Sequence, residues 1–184
     1  GVLVVGKISD SHLKALKKVG IPVVLVDFTS LGDPCDCVLT HNRQGGYMLT
    51  DYVVLKGYKT IGFFGDLDYS FSFQDRFMGY KQALIQNQIV SSEEVDSYIE
   101  EHSFLHNIEK YILANEITEI VKILKSKKLP EVLICANDSN AFAVISALKD
   151  MGLKIPEDIG VTGFDDTPLC EKANPQITTV QVQK

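Results

Sequence analysis

A chain of 184 residues, 45% hydrophobic and 23% charged, can bury one large core or two smaller ones and has ordinary globular composition, which excludes a disordered or fibrous protein. Its formal net charge of −6 repels phosphate backbones, which excludes nucleic-acid binding as the main task of this segment on its own. No apolar run of roughly 18 residues marks a membrane-spanning helix, and no secretory leader is recognisable, although a leader removed by processing would leave no trace.

The chain opens on Val2-Leu3-Val4-Val5, an apolar run that predicts a buried parallel strand at the very start, as expected of a piece of a longer protein. Ser9 or Asp10 caps a predicted helix whose Leu13, Leu16 and Val19 face inward, and Gly20 ends it. Pro22 to Val26 predicts the next strand, which delivers Asp27 at its carboxyl end. A loop rich in Ser, Gly, Asp and Pro spans 29–37, then a short strand comes at Val38-Leu39-Thr40.

Around His41-Asn42 the pattern restarts. It predicts a helix over about 44–56 closed by Gly57, a strand from Thr60 to Gly65, a polar-aromatic loop over 66–74 and a helix over about 75–88 marked by Phe77, Tyr80 and Leu84. A weak strand at Ser97 to Glu101 precedes helical structure over about 106–127, interrupted near Asn115. An apolar run from Val132 to Ala136 then ends at Asn137-Asp138. Ala141, Val144, Ile145 and Leu148 form one face of a helix stopped by Gly152, and a second run, Ile159 to Phe164, ends at Asp165-Asp166. This alternation predicts an α/β fold with parallel sheets flanked by helices, without internal repeats. In open sheets of this kind ligands bind beyond the carboxyl ends of the strands, where these polar pairs fall.

The four cysteines (Cys35, Cys37, Cys135 and Cys170) predict reduced thiols in a cytosolic protein, since Cys35-Asp36-Cys37 is too tight for the usual zinc or redox spacing. The four histidines do not cluster with carboxylates along the sequence; His102 and His106 read as surface residues, and no metal or cofactor is expected. Enzyme motifs are missing: there is no Gly-x-Gly-x-x-Gly, no Gly-x-x-x-x-Gly-Lys-Ser/Thr and no Gly-x-Ser-x-Gly. Asp27 and Asp165 can be posed as a glycosidase pair, but nothing in the sequence raises the pKa of either.

Cys135-Ala136-Asn137-Asp138, the helix end Ala147-Leu148-Lys149-Asp150-Met151-Gly152, then Ile155-Pro156-Glu157-Asp158-Ile159, Gly163-Phe164-Asp165-Asp166 and Pro175-Gln176-Ile177-Thr178-Thr179-Val180 together resemble the effector-binding core of the LacI/GalR family of bacterial transcription regulators. The resemblance implies a two-lobed, type I periplasmic-binding-protein-like fold. Residues 1–41 would be a partial amino-terminal lobe, 42–176 the carboxy-terminal lobe, and 177–184 a return strand to the first lobe. It also implies a homodimer that binds a small effector, a carbohydrate, between lobes and reaches DNA only through a helix-turn-helix outside this segment, with no membrane partner. Arg76, Asn137, Asp165 and Ser72 match ligand-contacting residues of that family. Asp27, Asn42, Ser70 and, by looser alignment, Phe104 complete the candidate set. Purine-sensing relatives have an arginine where Ser70 stands, which points to a sugar.

Each candidate also has an ordinary explanation. Asn137 or Asp138 can cap a helix, Asp165-Asp166 can be a strand-exit turn, and Arg76 can be a solvated residue near a helix start. Tyr69, Phe71 and Phe73 can be a stacking platform for a sugar ring or can pack inward. The expectation for Arg76→Ala and Asp165→Ala is loss of effector binding with little loss of fold. The alternative functions are the solute-binding protein of a sugar ABC transporter and a regulator answering a protein partner.

Overall fold

The computed structural model describes residues 1–30 and 32–182, which divide into two compact units, Gly1–Asn42 and Arg43–Lys184.

In the first unit, β1 (Val2–Val5), β2 (Val23–Val26) and β3 (Asp36–Val38) form a parallel sheet in that order, with α1 (Asp10–Lys18) between β1 and β2. Ser9 caps α1 by accepting from His12 N at 3.3 Å. The core is small: Leu13, Val23 and Leu25 are buried, with Val4, Leu16 and Phe28 packed around them. Three expectations change here. Leu3 and Val5 are 71% and 78% exposed, so β1 is covered on one face only. Val19 is 67% exposed because it is the C-cap, past the last turn that faces the core. β3 begins two residues earlier than the apolar pair Val38-Leu39 suggests, because its register against β2 (Val26 opposite Val38) is set by pairing and not by hydrophobicity.

In the second unit, β4 (Ile61–Phe64), β5 (Val132–Cys135), β6 (Gly160–Asp165) and β7 (Thr178–Gln181) form a parallel sheet in sequence order. The helices are α2 (Asn42–Leu55), α3 (Phe71–Gln86), α4 (Val95–His102), α5 (Glu109–Leu113), α6 (Ile117–Lys125), α7 (Asp138–Asp150) and α8 (Leu169–Lys172). Every residue of β4 and β5 is buried, as in a parallel sheet covered on both faces. Alternate side chains feed two cores. Ile61, Phe63, Val132 and Ile134 pack with Leu49, Val53 and Tyr80 on one face, while Phe64, Leu133, Cys135 and Val161 pack with Ile120, Val144 and Leu148 on the other.

The break predicted near Asn115 separates α5 from α6, with Asn115 at φ 55. The strand expected at Ser97 to Glu101 is instead helix α4, whose buried pair, Val95 and Ile99, has the i, i+4 spacing of a helix. α8 has no forerunner in the pattern. Within the span 177–184, expected to return to the first lobe, Thr178–Gln181 is the edge strand of the second sheet, pairing Thr162 with Thr178 through Asp165 with Gln181. Gln183 and Lys184, also in that span, lie outside the described residues. No described helix is long and apolar enough to cross a membrane.

Candidate functional site

The carboxyl ends of β5 and β6 carry the polar corners Asn137-Asp138 and Asp165-Asp166, and α3 reaches them through Arg76. α3 starts at Phe71, four residues before the hydrophobic period suggests, because Ser70 is its N-cap: extended at φ −157, with Oγ accepting from Phe73 N at 3.2 Å. Ser72 therefore lies half-buried in the first helical turn instead of in a loop. α3 packs closely on α2. A Cβ on Gly46 would collide with the Arg76 carbonyl, and one on Gly79 with the Arg43 carbonyl, so glycine at both crossings brings the two backbones together and sets the depth of Arg76.

Arg76 is 3% exposed, which corrects the reading of a solvated residue. Its Nη1 donates to the Ala136 carbonyl at 2.7 Å, and its Nη2 donates to Asp165 Oδ1 at 2.9 Å. Its guanidinium carbon stands 3.8 Å from the centroid of the Phe164 ring. One side chain thus ties the exit of β5 to the exit of β6, through the peptide that precedes Asn137 and the carboxylate of Asp165. A buried guanidinium needs such partners, because desolvation without them costs several kcal/mol. It is also firmly held, so burial argues that Arg76→Ala would cost stability as well as any ligand contact.

The two corners differ. Asn137 is extended (φ −153) and caps α7, its Oδ1 accepting from Asn140 N at 2.8 Å. The capping role is therefore real, and it sets the side chain beside the Arg76 bond to Ala136. Asp165 and Asp166 are both left-handed, with φ 107 and 52, an unfavourable conformation for a non-glycine residue of order 1–3 kcal/mol each. Surrounding groups maintain it. Arg76 holds Asp165, and Asp138, 1% exposed, holds the turn beyond Asp166. Asp138 Oδ2 accepts from Thr167 N at 2.7 Å and Oδ1 accepts from Thr179 Oγ1 at 2.6 Å; Thr179 Oγ1 in turn lies 3.4 Å from Asp166 N. Gly163 is required beside this carboxylate, since a Cβ there would collide with Asp138 Oδ1. Asp138 was absent from the candidate set. Its signal was the doubled Asn-Asp, in which a single residue suffices to cap and the second is left to reach elsewhere.

The other candidates belong to other elements. Asp27, at the end of β2 with φ 57, belongs to the first unit, where its Oδ1 accepts from Thr40 Oγ1 at 3.2 Å. Asn42, 4% exposed, is the first residue of α2 and the last of that unit. Phe104 packs into the core: its peptide bridges Phe64 at the edge of β4, its ring lies 5.9 Å from the Phe64 ring, and it is 4% exposed, while also bordering the groove lined by residues 103–106. The aromatics of residues 69–73 divide: Phe73 is buried, while Tyr69 and Phe71 are 39% and 41% exposed.

The histidine reading also changes. His106 Nδ1 stands 3.4 Å from Asp68 Oδ2, and ligand atoms of Asp66, Asp68 and His106 lie within 4.8 Å of one another. Such a trio could take a cation, but Asp66 is already engaged, with Oδ1 accepting from Asp68 N and Oδ2 from Ile108 N, each at 3.2 Å. The arrangement is accounted for as a loop closure. All four cysteines are free; burial pushes the Cys135 thiol up, and burial together with Asp138 pushes that of Cys170 up to about 11. Two cavities among the described residues, about 720 and 380 Å³, are lined by none of Arg76, Asn137 and Asp165. The larger is an open groove between α4, α6 and residues 103–106; the smaller lies at the opposite, amino-terminal ends of β5 to β7. Convergent polar groups, not cavity size, single out the Arg76 face.

Residues 50–184 match the periplasmic binding protein-like domain. The chain belongs to that family. Among its members this chain is similar to the transcriptional repressor PurR of Vibrio atlanticus (29% identical, covering 100% of this chain and 53% of the relative). It is likewise similar to the arabinose metabolism transcriptional repressor of Geobacillus stearothermophilus (30% identical, 97% and 47%). A solved LacI-family regulator from Enterococcus faecium with bound ribose is 25% identical with TM-score 0.76, covering 95% of this chain and 61% of that one. The chain spans about half the length of the curated relatives it matches. Those relatives are repressors, not enzymes, and the resemblance to LacI-type regulators noted in the sequence holds across the whole chain.

Proposed function

We propose that this chain is the effector-sensing domain of a LacI-type transcription regulator, and that a sugar or sugar phosphate binds at the carboxyl ends of β5 and β6 against Arg76, Asn137 and Asp165, with Ser70 and Ser72 beside them. The observation that carries the reading is the bridging of two strand ends by one buried arginine beside a strained aspartate. Donor, acceptor and mixed groups there match hydroxyls that both donate and accept. Exposed Tyr69 and Phe71 offer faces for a ring. The ribose of the Enterococcus faecium regulator and the arabinose in the name of the Geobacillus repressor favour a sugar, as does Ser70 in place of an arginine.

On this reading the effector shifts a conformational equilibrium by binding one state better than the other, and a homodimer passes the shift to DNA-binding heads elsewhere in the full-length protein. The setting is cytoplasmic, the four thiols remain reduced, and the domain performs no chemistry. Asp27 and Asn42 remain candidate ligand contacts from the first unit. Asp165→Asn tests the site, because it keeps the shape and removes the charge. Calorimetry of the full-length protein with ribose, arabinose, their phosphates and hypoxanthine should show a sugar binding to the wild type and at least about tenfold weaker binding to Asp165→Asn, a loss of about 1.4 kcal/mol. Equal affinity of the two proteins refutes the assignment; binding of hypoxanthine alone refutes the sugar.

A further inference from the structure

Three charged side chains are buried among the described residues: Arg76, Asp138 and Glu109. Arg76 has a carboxylate, and Asp138 has two donors. Glu109, 6% exposed at the start of α5, differs in that no cation among the described residues faces it. Its surroundings are the Asn140 amide from α7, the backbone and carboxylate of Asp66 from the loop after β4, and the Cys135 thiol of β5. The neighbouring Lys110 points away, over the Tyr111 ring.

Asn140 Nδ2 donates to Glu109 Oε1 at 2.6 Å. Asn140 is fully buried, and its Oδ1 has no hydrogen-bond partner among the described residues. A buried carbonyl without a donor is costly, on the order of 1–3 kcal/mol. A carboxylate cannot supply that donor, whereas a carboxylic acid carries one O–H on the oxygen that Nδ2 does not use. An acid and a primary amide close an eight-membered ring in which each group donates once and accepts once.

We propose that Glu109 is a neutral carboxylic acid in the folded protein and that its O–H donates to Asn140 Oδ1, making an acid–amide latch that holds the first turn of α7, with Asn137, against the loop leaving β4. Both sides of the latch lead to the candidate site. Asn140 N is the group that Asn137 caps, and Asp66, whose Oδ2 accepts from Ile108 N, opens the loop to Ser70 and α3. Glu109 is thus a positioning residue for the face described above. The latch itself does not depend on any ligand; only its bearing on binding rests on the proposed function.

Burial pushes the Glu109 carboxyl up; the Asn140 amide opposes this, repulsion from the Asp66 carboxylate adds to the rise, and the Asp66 backbone N–H opposes it least. Because folding raises this group above its unfolded range, its stabilisation is complete below that range and is lost as pH rises through the folded value.

The test is carbon-13 glutamate labelling of the full-length wild type and Glu109→Gln, with thermal unfolding from about pH 5 to about pH 8. The Glu109 carboxyl signal, identified by its loss in the Gln variant, should titrate well above the other glutamates. Glu109→Gln should retain wild-type stability at low pH, since its amide supplies the same donor and acceptor. The wild-type midpoint should then fall by a few degrees relative to the variant as pH rises. The Asn137 amide resonance should track the Glu109 titration in the wild type and stay still in the variant. A Glu109 carboxyl titrating with the others, or parallel pH profiles for the two proteins, overturns the latch. A full-length protein that shows the latch but binds none of the sugars refutes only the proposed function.

Discussion

The exits of β5 and β6 present the same chemistry, a doubled short polar side chain after an apolar run, and use it in opposite ways. At Asn137-Asp138 the backbone stays extended and a helix begins at once, so Asn137 satisfies an orphan amide of that helix. At Asp165-Asp166 no helix begins immediately, and the backbone turns through two left-handed residues. The second corner is held from outside, by Arg76 of α3 and by Asp138 of the first corner. A relaxed corner therefore braces a strained one, and a braced, strained carboxylate is the kind of group that ligand sites use.

The largest expected effect on this contrast comes from Arg76→Ala. It leaves Asp165 partly buried without its cation and opens a void between the strand exits, so urea unfolding should show a loss of about 3 kcal/mol or more. A loss under about 1 kcal/mol would mean that the two exits are not coupled through this side chain. Asp138→Ala comes next, at about 1–3 kcal/mol, because it leaves the part-buried Thr167 N and Thr179 Oγ1 without their acceptor. It should also loosen Asp165 and Asp166, read as faster amide exchange there than at Asn137. The smallest effect has the opposite sign. Asp166→Gly relieves one left-handed residue and should raise stability by up to about 1 kcal/mol; a fall would place the strain elsewhere.

Much of the second unit was legible because its signals are local. Apolar runs at Ile61–Phe64, Val132–Cys135 and Gly160–Asp165 cannot be anything but strands covered on both faces, given the helices between them. The break at Asn115 and the cap at Asn137 were visible for the same reason. Ser97–Glu101 misled because five residues of mixed polarity carry no clear period, and its helical pair begins at Val95, outside that window. The packing of Phe104 was not legible, because position relative to a motif does not tell which way a ring turns; its ring contact with Phe64 does.

Sequence alone determined the alternation of strands and helices, the corners where polar residues gather and the family these motifs belong to, since each depends on residues within a few positions of one another. Only the tertiary structure decided that Arg76 is buried across two strand ends, that Asp138 serves the corner after β6, that β7 closes the second sheet and that Glu109 meets Asn140. Arg76 and Asp165 are 89 positions apart, and Glu109 and Asn140 are 31 apart. Contacts at such separations are set by how sheets and helices pack, which no local pattern of hydrophobicity encodes.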